Sequence, residues 1–255
     1  MEDFSLILLV RGNRYLLPLT LDSLNRQSDA SFEVILLDGE GSGRLSQISL
    51  NYPALSICVK ETPGKSLGEM MNLGLYAARG KYVQFLEPGE RYISQHGLSY
   101  LSQLLQETGQ PQLIYSSFLK RGPGEAPQAV SFSLNRDLLK KGAVIRSSWF
   151  LKKALQELGG FDGRFSHRPS FDLLCRYFLK KGMRAVYSRR VLIDAEPHSR
   201  IAREVLGYTS ETCRILFRHF GLWHALRWIF VQDHLQMLRW ALSFVKQAFW
   251  KAEKN

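Results

Sequence analysis

Four short runs set acidic, basic or glycine residues close behind apolar stretches. Arg11-Gly12-Asn13 follows Phe4 to Val10, Asp38-Gly39-Glu40-Gly41-Ser42 follows Glu33 to Leu37, and Glu87-Pro88-Gly89-Glu90 follows Lys81 to Leu86. Gly64-Lys65-Ser66 lies in the loop after Leu55 to Val59. Carboxylates of this kind suit a divalent cation, whereas glycine turns, helix starts and a lysine suit phosphate. The combination fits a nucleotide diphosphate held through a metal, because carboxylates alone would repel phosphate.

For these runs to meet, the apolar stretches must be parallel strands ending at one edge of a sheet. The alternation of short apolar runs with amphipathic segments predicts that arrangement, an α/β fold with crossover helices. Strands are expected at residues 4–10, 33–37, 55–59, 81–86 and 112–117, with helices at 15–27, 42–51, 66–78 and 94–108. Leu16, Leu17, Leu21 and Leu24, and Leu67, Met70, Met71 and Leu75, give the three-to-four spacing of a buried helix face. The Gly- and Pro-rich segment 120–128 reads as a surface loop. Residues 147–158 and 170–181 read as helices, 183–191 as a returning strand, and everything beyond about residue 200 as helical.

The chain has 255 residues, enough for one globular domain with a helical extension, divided here as 1–199 and 200–255. A formal charge of +11 argues for an anionic partner without choosing one. Cys58, Cys175 and Cys213 are widely separated, so neither a disulfide framework nor a zinc site is indicated, and a reduced, cytoplasmic setting is expected. The acidic start and the short apolar run ending at Arg11 argue against a signal peptide, and no stretch has the length of a membrane span.

The order of FSLILLVRGN, FEVILLDGEGSG, the block from Asn72 to Glu90 (NLGLYAARGKYVQFLEPGE) and LGGFDGRF resembles the family-2 glycosyltransferases of GT-A fold. The resemblance covers roughly the first 200 residues. It implies transfer of a sugar from a nucleotide-diphosphate donor, most often of UDP type, to an acceptor hydroxyl. Inversion is usual, with Mg2+ or Mn2+ on the diphosphate. By that resemblance Asp38 matches the carboxylate that contacts the donor base, and Asn13 matches the Asn after the first strand. Read from the residues alone, the alternative for Asp38 is a loop carboxylate capping the next helix, and Asn13 is equally a turn residue.

This chain departs from the family at three places. Where the family carries Asp-x-Asp-Asp after strand four, it has Glu87, Pro88, Gly89 and Glu90, so metal binding falls to Glu87 or Glu90; the alternative is a solvated acidic turn. Where the family carries Glu-Asp as its base, it has Pro169 and Ser170, and Asp172 is the nearest carboxylate. Asp172 is then the base through a shifted helix start, a first-turn carboxylate complementing the helix dipole, or the family's second Asp. Finally, an arginine that the family often places near the donor is missing at Met70-Met71-Asn72, leaving Lys65 or Arg11 to supply the charge. His198, in Glu196-Pro197-His198-Ser199, resembles a family His near the diphosphate or metal.

Trp223, Trp228, Trp240 and Trp250 recur with Arg227, Arg239, Lys246 and Lys251 in the C-terminal segment. This pattern suits an anionic membrane surface at the inner face, or packing on the chain's own domain or on a second copy in a homo-oligomer. The expected acceptor is a saccharide or lipid-linked saccharide. Two other classes compete, a non-catalytic nucleotide-sugar-binding or scaffold domain and, last, a nucleic-acid binder, for which no motif is present.

Overall fold

The computed structural model describes residues 3–41, 43–121, 126–131, 133–135, 139, 147–180, 182–195 and 202–230. In chain order these form β1 (Phe4–Val10), a 3-10 turn (Arg14–Leu16), α1 (Leu17–Asn25), β2 (Phe32–Asp38), α2 (Arg44–Ser49), β3 (Ile57–Glu61), α3 (Leu67–Ala77), β4 (Tyr82–Leu86), β5 (Arg91–Tyr92) and α4 (Gly97–Thr108). There follow β6 (Leu113–Lys120), β7 (Gln128–Val130), β8 (Ser148–Leu151), α5 (Lys152–Glu157), α6 (Pro169–Leu179), β9 (Ala185–Ala195), α7 (Ala202–Phe220) and α8 (Leu222–Trp228).

The described strands make one sheet in the order β3-β2-β1-β4-β8-β6-β9-β5, with β7 beside β6. β3, β2, β1 and β4 run parallel, whereas β8 is antiparallel to both β4 and β6. β1 is buried along its whole length because helices cover both of its faces. Its alternate side chains divide between two cores. Ile7 and Leu9 pack with Met70, Met71 and Leu75 of α3 and with α6 and α7, while Phe4, Leu6, Leu8 and Val10 pack with α1 and α4.

The expected early strands and helices are present, with β3 displaced two residues toward the C-terminus. Residues 147–158 are a correction. Only Lys152–Glu157 is helical, and Ser148–Leu151 is a strand wedged between β4 and β6. Trp149 and Phe150 bury on opposite sides of the sheet, the two-residue alternation that a short aromatic run hides among helix signals. The returning strand is also longer than expected, reaching Ala195.

The described helices after residue 201, α7 and α8, pack on the core. Ile215 and Leu216 of α7 and Ala225 and Trp228 of α8 bury in the same cluster as Phe165, Phe171 and Leu174. Among the described residues no helix is long and apolar enough to cross a membrane. His198, Trp240, Trp250, Arg239, Lys246 and Lys251 lie outside the described residues.

Candidate functional site

Register brings the sequence-predicted residues to one edge. Val10 pairs with Asp38 and Leu8 with Leu86, so Arg11, Gly39 and Glu87 leave the sheet side by side at the carboxyl ends of β1, β2 and β4. A parallel sheet has its ligand crevice at that edge.

Asp38 is 1% exposed. Its Oδ1 accepts from the backbone N–H groups of Glu40 (3.0 Å) and Gly41 (3.2 Å), and its carbonyl accepts from Thr62 N–H (2.8 Å). The carboxylate thereby folds the Asp-Gly-Glu-Gly loop into an Asx turn. Gly39 is required by the crowding beside it, since a Cβ there would stand 3.1 Å from Arg11 Cγ and 3.1 Å from the Val10 carbonyl. Arg14 joins this loop through Glu40 at 3.0 Å. Asn13 is half-buried; its carbonyl accepts from Leu16 N–H, and its side chain makes no capping bond.

Arg11 is exposed, and its Nη1 donates to the carbonyl of Ser166 at 3.0 Å, 155 residues away. Ser166 belongs to a turn that enters α6, held from the opposite side by Glu211 of α7. The buried Glu211 carboxylate accepts from the N–H groups of Ser166 (2.9 Å), His167 (2.9 Å) and Arg168 (2.8 Å). A cap supplied from another helix satisfies donors at a helix start that the Pro169-Ser170 sequence leaves uncapped. The Arg168 guanidinium is buried between the rings of Phe171 (4.4 Å) and Tyr208 (4.1 Å).

Lys65 is exposed and precedes Ser66, the N-cap of α3. Ser66 and Glu69 form a reciprocal capping box, and hydrogen bonds from Ser66 hold the Glu69 carboxyl below its ordinary range. The same helix carries the Gly159-Gly160-Phe161-Asp162 turn. Asn72 donates from Nδ2 to the Phe161 carbonyl and accepts from Phe161 N–H, both at 2.8 Å, and Ser66 Oγ donates to the Gly163 carbonyl at 2.6 Å.

The turn after β4 accounts for the missing aspartate. Glu90 N–H donates to the Glu87 carbonyl at 3.0 Å, and Gly89 has φ +97°. Proline followed by a positive-φ glycine is the type II pattern, which a side chain at position 89 would strain. Thr20 of α1 fastens the turn by accepting from Gly89 N–H at 2.9 Å. Glu90 is buried, and its Oε2 accepts from Glu87 N–H at 2.9 Å, so this carboxylate serves the turn's backbone; Glu87 is half-buried beside it. Among the described residues no three His, Cys, Asp or Glu side chains come together as metal ligands. Asp194, at the end of β9, accepts from Arg91, directly after this turn, and from Arg121, with contacts of 2.9 and 2.7 Å. Burial would raise its pKa, but the two arginines hold it below the usual carboxylate range.

Asp172 lies in the first turn of α6 and is 1% exposed. Its Oδ2 accepts from Arg176 Nε at 2.8 Å, and its Oδ1 lies 2.9 Å from His219 Nε2 and 3.4 Å from Arg218 Nη1. Burial pushes its pKa up, and His219 and Arg176 outweigh that and lower it. Arg218 reaches Asp162 as well, at 2.9 Å, and Asp162 also pairs with Arg164. Of the readings open for Asp172, this geometry is that of an ion-paired first-turn carboxylate joining α6 to α7.

The sequence reading missed Glu211, Asn72, Arg218 and His219 as supports of the site. Asn72 had a signal, its place in a motif block; the others sit on a helix whose sequence carries no motif.

No family model matches the chain. It is 22% identical over 178 residues, 69% of its own length and 69% of theirs, to proteins named PGL/p-HBAD biosynthesis glycosyltransferase in Mycobacterium bovis and Mycobacterium tuberculosis. In structure it resembles S. aureus TarS 1–349 in complex with UDP-GlcNAc, with a TM-score of 0.70 and 15% identity over 90% of this chain and 73% of that one. It also resembles the mannosyltransferase PcManGT of Pyrobaculum calidifontis in complex with GDP-Man and Mn2+, with a TM-score of 0.59 and 14% identity over 96% and 82%. The sheet order, the helices on both its faces and these likenesses establish the fold as that of the GT-A glycosyltransferases.

Proposed function

We propose that this chain is a family-2-type hexosyl glycosyltransferase. It moves a sugar with inversion from a nucleotide-diphosphate donor, of UDP type, to a hydroxyl of a surface glycan or lipid-linked saccharide at the cytoplasmic face. One observation carries the reading: Asp38, Arg11 and Glu87 converge at the carboxyl edge of a GT-A sheet in a chain whose matched relatives are named glycosyltransferases.

In this reading the Asp38 loop, with Asn13, receives the nucleoside, and Arg11 and Lys65 face the diphosphate. The acceptor oxygen attacks the anomeric carbon and gives up its proton to water. The bond from that carbon to the phosphate oxygen breaks, and the nucleoside diphosphate leaves with the electron pair. Cations at its oxygens stabilise the charge that develops.

The fold implies a divalent ion, but the described donors do not by themselves fit one, because Gly89 supplies no oxygen and Glu90 is bonded to the turn. Of the residues that the resemblance offers for Mg2+ or Mn2+, Glu87, Glu90 and His198, Glu90 is committed to the turn's backbone, so an ion there would depend chiefly on the donor's own phosphates. Asp172 could accept the acceptor's proton only by weakening its bonds to Arg176 and His219, and we assign it the α6–α7 contact instead.

A specific observation also favours a second reading. The altered turn at Gly89 and the helix start at Pro169-Ser170, capped by Glu211 rather than by a local carboxylate, suit a GT-A domain that binds a nucleotide sugar without turning it over. Incubation with UDP-sugars and GDP-mannose together with a panel of saccharide and lipid-linked saccharide acceptors, with nucleoside diphosphate release followed by chromatography, separates the two. Release above the buffer rate supports transfer. Binding without release supports the scaffold reading, and neither binding nor release overturns both.

A further inference from the structure

Seven of the thirteen exposed large apolar side chains among the described residues lie between Leu206 and Phe230. α8 buries Ala225 and Trp228 against the core and leaves Leu222 (59% exposed), Trp223 (75%), Leu226 and Ile229 outside. At about 100° per residue these four fall within an arc of roughly 120°, next to the arc of about 60° that holds Ala225 and Trp228. Phe217, 57% exposed near the end of α7, adds a further apolar side chain on the helix that precedes the Gly221 turn. The other six described side chains of this kind are spread from Tyr15 to Leu179, and scattered ones need no explanation, whereas a gathering of this kind marks a contact surface.

Charge identifies what it contacts. Residues 212–232 contain three arginines and no acid. Arg218 is engaged by Asp162 and Asp172, while Arg214 and Arg227 are exposed on the two helices that form the patch. A self-complementary contact between two copies would bring arginine against arginine with no acid in the segment to compensate. A bilayer surface meets both needs, apolar chains for the leucines and the indole and anionic headgroups for the arginines. We infer that the exposed face of α8 with Phe217 is a docking surface for anionic lipid, seating the domain on a membrane without crossing it. The following sequence carries Trp240, Trp250, Arg239, Lys246, Lys251 and Lys254 against two acids, Asp233 and Glu253.

The test is co-sedimentation of the full chain with vesicles of phosphatidylcholine alone and of phosphatidylcholine and phosphatidylglycerol in three-to-one ratio. The wild-type chain is expected to pellet with the anionic vesicles and weakly with the neutral ones. W223S/L226S should weaken anionic binding by about tenfold or more, and R214Q/R227Q should do so by roughly tenfold, with unchanged thermal melting in both cases. Both pairs are exposed, so folding is preserved. A wild-type chain that stays in the supernatant with every vesicle at low salt overturns the proposal, as does undiminished binding of W223S/L226S. Loss of a dimer in size exclusion by W223S/L226S, with vesicle binding intact, would assign the face to a second copy instead. Nucleotide binding is not used as a readout, so the result stands apart from the reading of the donor site.

Discussion

Glu211 and Arg11 hold Ser166 from opposite sides. The Glu211 carboxylate accepts the Ser166 N–H at 2.9 Å, and Arg11 donates to the Ser166 carbonyl at 3.0 Å. One peptide turn thus couples the C-terminal helix α7 to the cation at the end of β1. The helix after the sheet is in this way part of the framework around the proposed donor site.

Glu211→Ala should therefore lower stability by about 2 kcal/mol, since it leaves three N–H groups at the start of α6 without their acceptor. It should also weaken nucleoside diphosphate binding by freeing the turn that fixes Arg11. Glu211→Gln, which keeps one acceptor oxygen, should recover part of both. Urea unfolding and nucleotide titration of the two variants measure this, and equal loss in Gln and Ala would require the charge rather than the hydrogen bonds.

Asp172→Asn should destabilise the chain by on the order of 3 kcal/mol, because Arg176 and His219 would face a neutral amide in a buried place. The wild-type chain should show the matching pH dependence. Asp162, Asp172 and Asp194 all have lowered pKa values, through their bonds to Arg164 and Arg218, to Arg176 and His219, and to Arg121 and Arg91. A lowered folded value means that the stabilisation is complete above the unfolded carboxylate pKa of about 3.9 and is lost as pH falls through the folded values. Thermal melts between neutral pH and strong acid should fall steeply only below about pH 4, and D172N should flatten part of that slope.

Gly68→Ala tests how α3 carries the Gly-Gly-Phe-Asp turn. A Cβ at residue 68 would stand 2.3 Å from the Asp162 carbonyl oxygen, a backbone atom that cannot turn aside. The expected cost is about 1 to 3 kcal/mol. Gly64→Ala serves as the contrast, for its Cβ would meet nothing within 4 Å and its cost would come from φ +71° alone. Chemical denaturation of the pair separates crowding from backbone strain.

Much of this architecture is legible in the sequence because β1, β2 and β4 are mostly apolar runs of the kind that a doubly covered parallel strand requires, whereas β3, with Lys60 and Glu61, lies half-exposed at the sheet's edge. Asp38, Arg11 and Glu87 follow such runs directly, and the parallel register alone brings them together. Ser148–Leu151 was harder to read. Four residues of mixed polarity have too short a period to distinguish strand from helix, and pairing with β4 and β6 decided between them. Asp172 could be placed on a helix with Arg176 four residues on, but Arg218 and His219 come from 46 and 47 residues away and could not be read as its partners. Glu211 was invisible for the same reason. A carboxylate on an amphipathic helix reads as solvated until the helix is docked.

The account rests most heavily on Asp38 and the edge it occupies. Calorimetric titration of UDP, GDP and their sugar conjugates into the wild-type chain and Asp38→Ala, each with Mn2+ and with chelator, tests it directly. Binding of one nucleotide by the wild-type chain, weakened about tenfold or more in Asp38→Ala by loss of the turn's acceptor, is the predicted result. Dependence on Mn2+ would bring Glu87, Glu90 and His198 into the site, and binding indifferent to the chelator would leave the diphosphate to Arg11 and Lys65. Equal affinity in wild type and Asp38→Ala, or no nucleotide binding by the wild-type chain, would contradict the account.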